Sequence, residues 1–193
     1  FAYNQAIGYL YNRGITFDEI LKHNIGYCED GMYAGRTIIP SYNSDGELNY
    51  FVARSYYENN KMKYKNPPVS RDVIVFDNQI DWSEPITLVE GVFDSFSVKR
   101  NVIPILGKFL PRTLKAKINQ KGVKEINILL DSDAVDDSTK HANYFIKNGI
   151  KVKNIIPEEM DAGDMGFDKV NELLKETKET GWDDLILSKL NNI

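Results

Sequence analysis

Two short apolar runs, each ending abruptly in acid, constrain this chain more than any other feature. Ile86-Thr87-Leu88-Val89 stops at Glu90, and Ile126-Asn127-Ile128-Leu129-Leu130 stops at Asp131, with Asp133 two residues further on. Short β-rich runs with polar ends read as buried parallel strands. Open α/β sheets take their ligands at the carboxyl ends of such strands. Asp94 follows Glu90 by one helical turn, and Asp131 and Asp133 share a face if the strand continues through Ser132. Four acids gathered at one sheet edge repel one another unless a cation neutralises them. An all-oxygen carboxylate site suits Mg²⁺ or Mn²⁺.

The surrounding sequence supports a sheet of this kind. Strand and helix patterns alternate: Ile86–Glu90, a helix from Phe93, Val102–Leu106, a helix from Pro111, Ile126–Asp131, a helix from Ser138, and Lys151–Ile156. Leu110, Leu114 and Ile118 form one apolar stripe, and Ala142, Phe145 and Ile146 another before Gly149. The pattern predicts a compact α/β domain with a parallel sheet flanked by helices. A third acidic group, Asp161 and Asp164, follows the strand ending at Ile156. A single acidic loop is ordinarily a solvated surface, but three of them after three strands of one sheet converge on one edge. Phe167, Val170 and Leu174, then Trp182, Leu185, Ile186 and Leu190, predict two terminal helices.

The first half has a different grammar. Asn4 to Arg13 reads as a helix with Ile7, Leu10 and Tyr11 on one face and Gly14 as its stop. Thr16-Phe17-Asp18-Glu19 is a capping box opening a second short helix through Lys22. Strands then flank Asn43-Ser44-Asp45-Gly46, a hairpin turn signal, and Val73 to Phe76 reads as one further strand. Between them lies the basic, aromatic run Lys61 to Asn66, halted by Pro67-Pro68. The chain therefore divides, in expectation, into a mixed α+β subdomain over 1–82, a parallel α/β domain over 83–166 and terminal helices over 167–193.

Charge and cysteine content narrow the function. The net charge of −4 hides a segregation: Ser95 to Lys124 holds no acid but eight bases, Lys99, Arg100, Lys108, Arg112, Lys115, Lys117, Lys121 and Lys124. Such a run is either a solvated helix face or a track for a polyanion beside the acidic edge. Cys28 is the only cysteine, and with only His23 and His141 beside it no zinc-finger spacing exists. No apolar run approaches the roughly 20 residues of a membrane helix. A start at Phe1 suggests a fragment or a processed chain.

These pieces resemble a known family. Glu90-Gly91-Val92-Phe93-Asp94, then Asp131-Ser132-Asp133, then Asp161 with Asp164 resemble the Toprim domain shared by primases, topoisomerases, a nuclease class and recombination mediators. The remainder is similar to the bacterial and phage replicative primases: Leu106-Gly107, Arg36 before Ile38-Ile39-Pro40, Arg54 after the hairpin, and Lys63-Tyr64-Lys65-Asn66-Pro67-Pro68, all in the family's order. The chain departs from the pattern in two places. Two residues rather than one separate Asp161 from Asp164, and Lys108 stands where a small polar residue is usual.

The resemblance implies a Toprim-type sheet and a polymerase that makes RNA primers from ribonucleoside triphosphates on single-stranded DNA. It implies two or more Mg²⁺ or Mn²⁺ ions held by Glu90, Asp94, Asp131, Asp133 and one or both of Asp161 and Asp164. Glu90, Asp131 and Asp133 would be catalytic, with Glu90 the proton acceptor. Arg36, Arg54, Lys63, Tyr64, Lys65, Asn66 and Lys108 would hold template, primer and nucleotide. It further implies a cytoplasmic setting, bacterial or phage-infected, and a replicative helicase partner engaged through segments outside this chain. The zinc and helicase-binding modules of such primases are not in the sequence, which looks like a catalytic core alone. A Toprim nuclease or a non-catalytic DNA-binding mediator would use the same acids differently or not at all.

Overall fold

The computed structural model describes residues 2–157 and 162–184. It divides into two compact units, Phe1–Asn78 and Gln79–Ile193.

In the first unit, α1 (Ala2–Asn12) buries Ala6 and Leu10. Tyr11, expected on that face, stays half-exposed. Gly14, at φ 74°, ends the helix and lets the Ile15 N–H return to the Leu10 carbonyl at 3.0 Å. The expected capping box opens α2 (Phe17–Lys22): Glu19 N donates to Thr16 Oγ1, and Thr16 N donates to Glu19 Oε2 at 2.7 Å. Three antiparallel strands follow, β1 (Gly26–Cys28), β2 (Arg36–Tyr42) and β3 (Leu48–Ser55), in the order β1-β2-β3. The hairpin turn forms as its residues dictate. Asn43 Oδ1 accepts from the amides of Asp45 and Glu47, and Gly46 takes φ 80°.

Val73 to Phe76 forms no strand, contrary to the pattern. Its backbone groups are met by side chains instead of a neighbouring ladder: Phe76 N donates to Ser41 Oγ at 2.9 Å, and Asn49 Nδ2 donates to the Ile74 carbonyl at 2.9 Å. Phe76 sits at φ 59°, which no strand tolerates. Ile74, Val75 and Phe76 are nonetheless buried, so the apolar signal was a core signal without strand geometry.

The second unit is a four-stranded sheet in the order β5-β4-β6-β7, with every neighbouring pair parallel. The strands are β4 (Ile86–Val89), β5 (Val102–Pro104), β6 (Glu125–Leu129) and β7 (Lys151–Ile155). The two acid-tipped runs are its central strands, and Ile86, Leu88, Val89, Ile126, Ile128 and Leu129 are fully buried. Helices α3 (Val92–Val98), α4 (Arg112–Lys121) and α5 (Val135–Lys147) make the crossovers. Then α6 (Ala162–Glu176) follows β7 and is broken at Gly166, which takes φ 76° and ψ 167°. Val98 of α3 and Val170 of α6 share one core cluster with Val89 and Leu129. On α4 and α5, Lys115 Nζ lies 4.9 Å from the Tyr144 ring centre.

Several boundaries differ from the sequence reading. Leu106 turns to φ 56°, so β5 ends at Pro104, although Ile105 N still donates to the Val89 carbonyl at 2.9 Å. Pro111 is the N-cap of α4 rather than its first helical residue. The helix after β6 begins at Val135, not Ser138, after a 3₁₀ turn over Ser132–Ala134. Of the last predicted helix, residues 185–190 lie outside the described residues.

Candidate functional site

The sheet order explains why the acids meet. After β4 the chain steps to β5 on one side, and then α4 carries it back past β4 to place β6 on the other. Between β4 and β6 the winding reverses, and in open α/β sheets ligands bind in the crevice at that reversal, beyond the carboxyl ends of the strands. The register is Val89 opposite Leu129, so both strands end level, with Glu90 one residue beyond one and Asp131 two beyond the other.

Oxygen atoms of Glu90, Asp131 and Asp133 lie within 4.8 Å of one another. Glu90 and Asp131 are half-buried, with Glu90 Oε2 and Asp131 Oδ1 sealed from solvent, while Asp133 is exposed. The arrangement does not arise as the sequence suggested. The strand stops at Leu129 and Asp131 caps the 3₁₀ turn at φ −62°, ψ 155°, so strand alternation across Ser132 does not orient the pair. The turn brings Asp133 round instead, helped by Ala134 N donating to the Asp131 carbonyl at 2.9 Å. Three carboxylates this close, with hard oxygen donors and two sealed oxygens, fit a divalent cation such as Mg²⁺ or Mn²⁺.

Asp94 is not one of that group. Its Oδ2 accepts from Gly91 N at 2.8 Å and its Oδ1 from Gly163 N at 3.2 Å. The carboxylate therefore holds the amino ends of α3 and α6 together, where helix amides attract negative charge. This accounts for the glycine after Glu90. Gly91 has an ordinary φ of −118°, but a Cβ there would stand 2.9 Å from Asp94 Oδ2. Asp164 is exposed in the first turn of α6, and Asp161 lies outside the described residues.

Lys108 reaches the acids from the loop after β5. Its Nζ donates to Asp133 Oδ2 at 2.9 Å and to the Asp133 carbonyl at 3.3 Å. The bond to Asp133 raises the lysine's pKa above its ordinary value, with the charges of Asp133, Glu90 and Asp137 adding to it. Gly107 N donates to the Glu90 carbonyl at 3.1 Å, and His141 Nε2 donates to the Lys108 carbonyl at 2.8 Å. Burial lowers the pKa of His141 below its ordinary value. Phe109, beside Lys108, is 86% exposed, the most exposed large apolar side chain among the described residues. Sequence reasoning missed both His141, which carries no local signal, and Phe109, whose only signal is an aromatic beside a loop cation.

The basic segment belongs to the first unit and splits in two. Lys63 and Tyr64 are exposed, and the Arg54 guanidinium bonds the Tyr64 hydroxyl and lies 4.6 Å from its ring centre. Lys65 donates to the Met32 carbonyl at 2.8 Å. Asn66 Oδ1 accepts from Ala53 N at 3.2 Å. Arg36 is buried and donates to the carbonyls of Met62 and Lys63 at 3.0–3.2 Å. Arg36 and Asn66 thus fix the 60s segment against β2 and β3, leaving Lys63, Tyr64 and part of Arg54 at the surface.

The fold is that of the primase catalytic core. A crystal structure of the Aquifex aeolicus primase zinc-binding and RNA polymerase domains is similar over 90% of this chain and 56% of its own, with a TM-score of 0.75 and 21% identity. A primase catalytic domain bound to single-stranded DNA is similar over 98% of this chain and 76% of its own, at 0.79 and 15%. The E. coli primase catalytic core matches over 98% and 77%, at 0.77 and 14%. The chain thus spans just over half of the Aquifex structure and about three quarters of the other two. No family model and no curated protein matches the sequence. No helix among the described residues is long and apolar enough to cross a membrane.

Proposed function

We propose that this chain is the RNA-polymerase core of a DNA primase of Toprim type, joining ribonucleotides into short primers on single-stranded DNA. The observation that carries the reading is the convergence of Glu90, Asp131 and Asp133 oxygens within 4.8 Å at the winding reversal of a primase-core fold. Divalent ions bound there would neutralise the triphosphate and acidify the attacking 3′-hydroxyl. Asp131 and Asp133 would hold such ions, with Asp161 or Asp164 as a further ligand. Glu90, half-buried between β4 and α3, accepts the proton of the hydroxyl. Asp94 sets the position of Glu90 through the Gly91 amide, one residue away.

In the first unit, Lys63 and Arg54 contact strand phosphates and Tyr64 stacks on a base. Arg36 and Asn66 hold that segment in shape. Phosphate contacts carry no sequence information, so this part of the chain binds single strands with little base preference.

The test is incubation of the chain with single-stranded DNA, the four ribonucleoside triphosphates and Mg²⁺ or Mn²⁺. Short RNA products that vanish in Asp131→Asn support the reading. Shortening of the DNA without RNA synthesis replaces it with a nuclease. Binding of DNA with neither reaction replaces it with a mediator.

A further inference from the structure

We propose that Lys108 is a built-in counter-cation of the acidic cluster, holding Asp133 until a divalent ion displaces it and then turning to the nucleotide's phosphates. The inference rests on the metal-site reading above and concerns this chain's own lysine. Glu90, Asp131 and Asp133 place three carboxylates within 4.8 Å, a repulsion the fold must offset before any metal arrives. Lys108 supplies a positive charge at that point. Its ammonium meets Asp133 twice, at the carboxylate and at the backbone carbonyl.

The loop is shaped to deliver it. Leu106 and Gly107 take φ 56° and 129°, conformations that turn the chain sharply. Gly107 N is tied to the Glu90 carbonyl, and the Lys108 carbonyl to His141 of α5. One neighbour, Leu110, is buried, whereas Phe109 points out to solvent. With its backbone held on both sides, Lys108 swings only its flexible stem. The ion pair is also weak enough to yield. Its side chains are 34% and 75% exposed, and exposed pairs contribute little.

A divalent ion on Asp133 therefore competes with an ammonium already bonded to Asp133 Oδ2. Once displaced, that ammonium lies beside the site where a triphosphate would bind, and phosphate oxygens become its next partner. Metal and triphosphate then favour each other's binding, because the triphosphate takes up the cation the metal expels.

The test is Mn²⁺ binding to the full chain, followed by the electron paramagnetic resonance signal of the free ion, without DNA. Lys108→Gln should bind Mn²⁺ on the order of tenfold more tightly than the parent, the factor a unit charge about 5 Å from a divalent ion exerts in water. Lys124→Gln makes the same change in net charge at the opposite end of β6 and should leave the affinity within about twofold of the parent. Adding a ribonucleoside triphosphate should tighten Mn²⁺ binding more in the parent than in Lys108→Gln. Equal affinity in parent and Lys108→Gln, or weaker binding in the variant, overturns the proposal and leaves the metal site standing. Failure of both to bind Mn²⁺ overturns the proposal and the metal site together.

Discussion

Replacing Asp94 by alanine should destabilise the metal-free protein, whereas replacing Asp131 should not. Asp94 accepts two backbone N–H bonds, at 2.8 Å from Gly91 and 3.2 Å from Gly163, in a half-buried position. Bonds to a charged acceptor contribute about 1.5–3 kcal/mol each, and the longer one belongs at the low end. Truncation also strips the amino ends of α3 and α6 of a favourably placed negative charge. A loss of about 3 kcal/mol follows, or roughly 6–12 °C in Tm for a chain of this size. Asp94→Asn keeps one neutral acceptor and should lose about half as much. Asp131→Ala removes one member of a repelling set and should be neutral or stabilising in chelator. The assay is thermal unfolding followed by circular dichroism in excess EDTA. Asp94→Ala melting within about 1 °C of the parent, or Asp131→Ala falling as far as Asp94→Ala, would refute the division of labour between these acids.

Three further outcomes concern the first unit. His23 is half-buried and packed edge-on against Phe76 at 4.7 Å; burial lowers its pKa from 6.5 to about 4. The unfolded chain takes up a proton that the fold resists, so stability should fall as pH drops from 6.5 and level off below about 4. After allowance for partial exposure the loss is about 1–2 kcal/mol. Urea midpoints at pH 7 and pH 4.5 should differ less in His23→Gln, and an unchanged difference would contradict the assignment. Lys63→Gln should flatten the log–log salt dependence of single-stranded DNA binding by about 0.7, one phosphate contact. Arg54→Gln should do the same while also releasing Tyr64, and parental slopes in both variants would make the segment structural.

The central strands were legible because an apolar run of buried-strand length has few other places to go, and their acids then mark its carboxyl end. The Thr16 capping box and the Asn43 turn were legible because each is a local hydrogen-bond pattern written within five residues. What was not legible depended on partners distant in sequence. Val73 to Phe76 looked like a strand until Ser41 and Asn49 supplied its hydrogen bonds. The bonds from Arg36 to the Met62 carbonyl, 26 residues on, likewise have no local signal. Glu90, Asp131 and Asp133 do gather, but through a 3₁₀ turn that alternation does not encode. Asp94 carried the motif, but its bond to the Gly163 amide, 69 residues away, has no local pattern to announce it.

If the carboxylates at the winding reversal bind the ions that polymerise nucleotides, as proposed, manganese should be found among them. Anomalous diffraction at the manganese edge, from crystals of the chain grown with Mn²⁺, tests it most directly. Anomalous peaks should lie within coordination distance of Asp131 and Asp133, with Glu90 on the same ions or bridged to them through water. Peaks confined to other surfaces, or none at a saturating concentration, would contradict it.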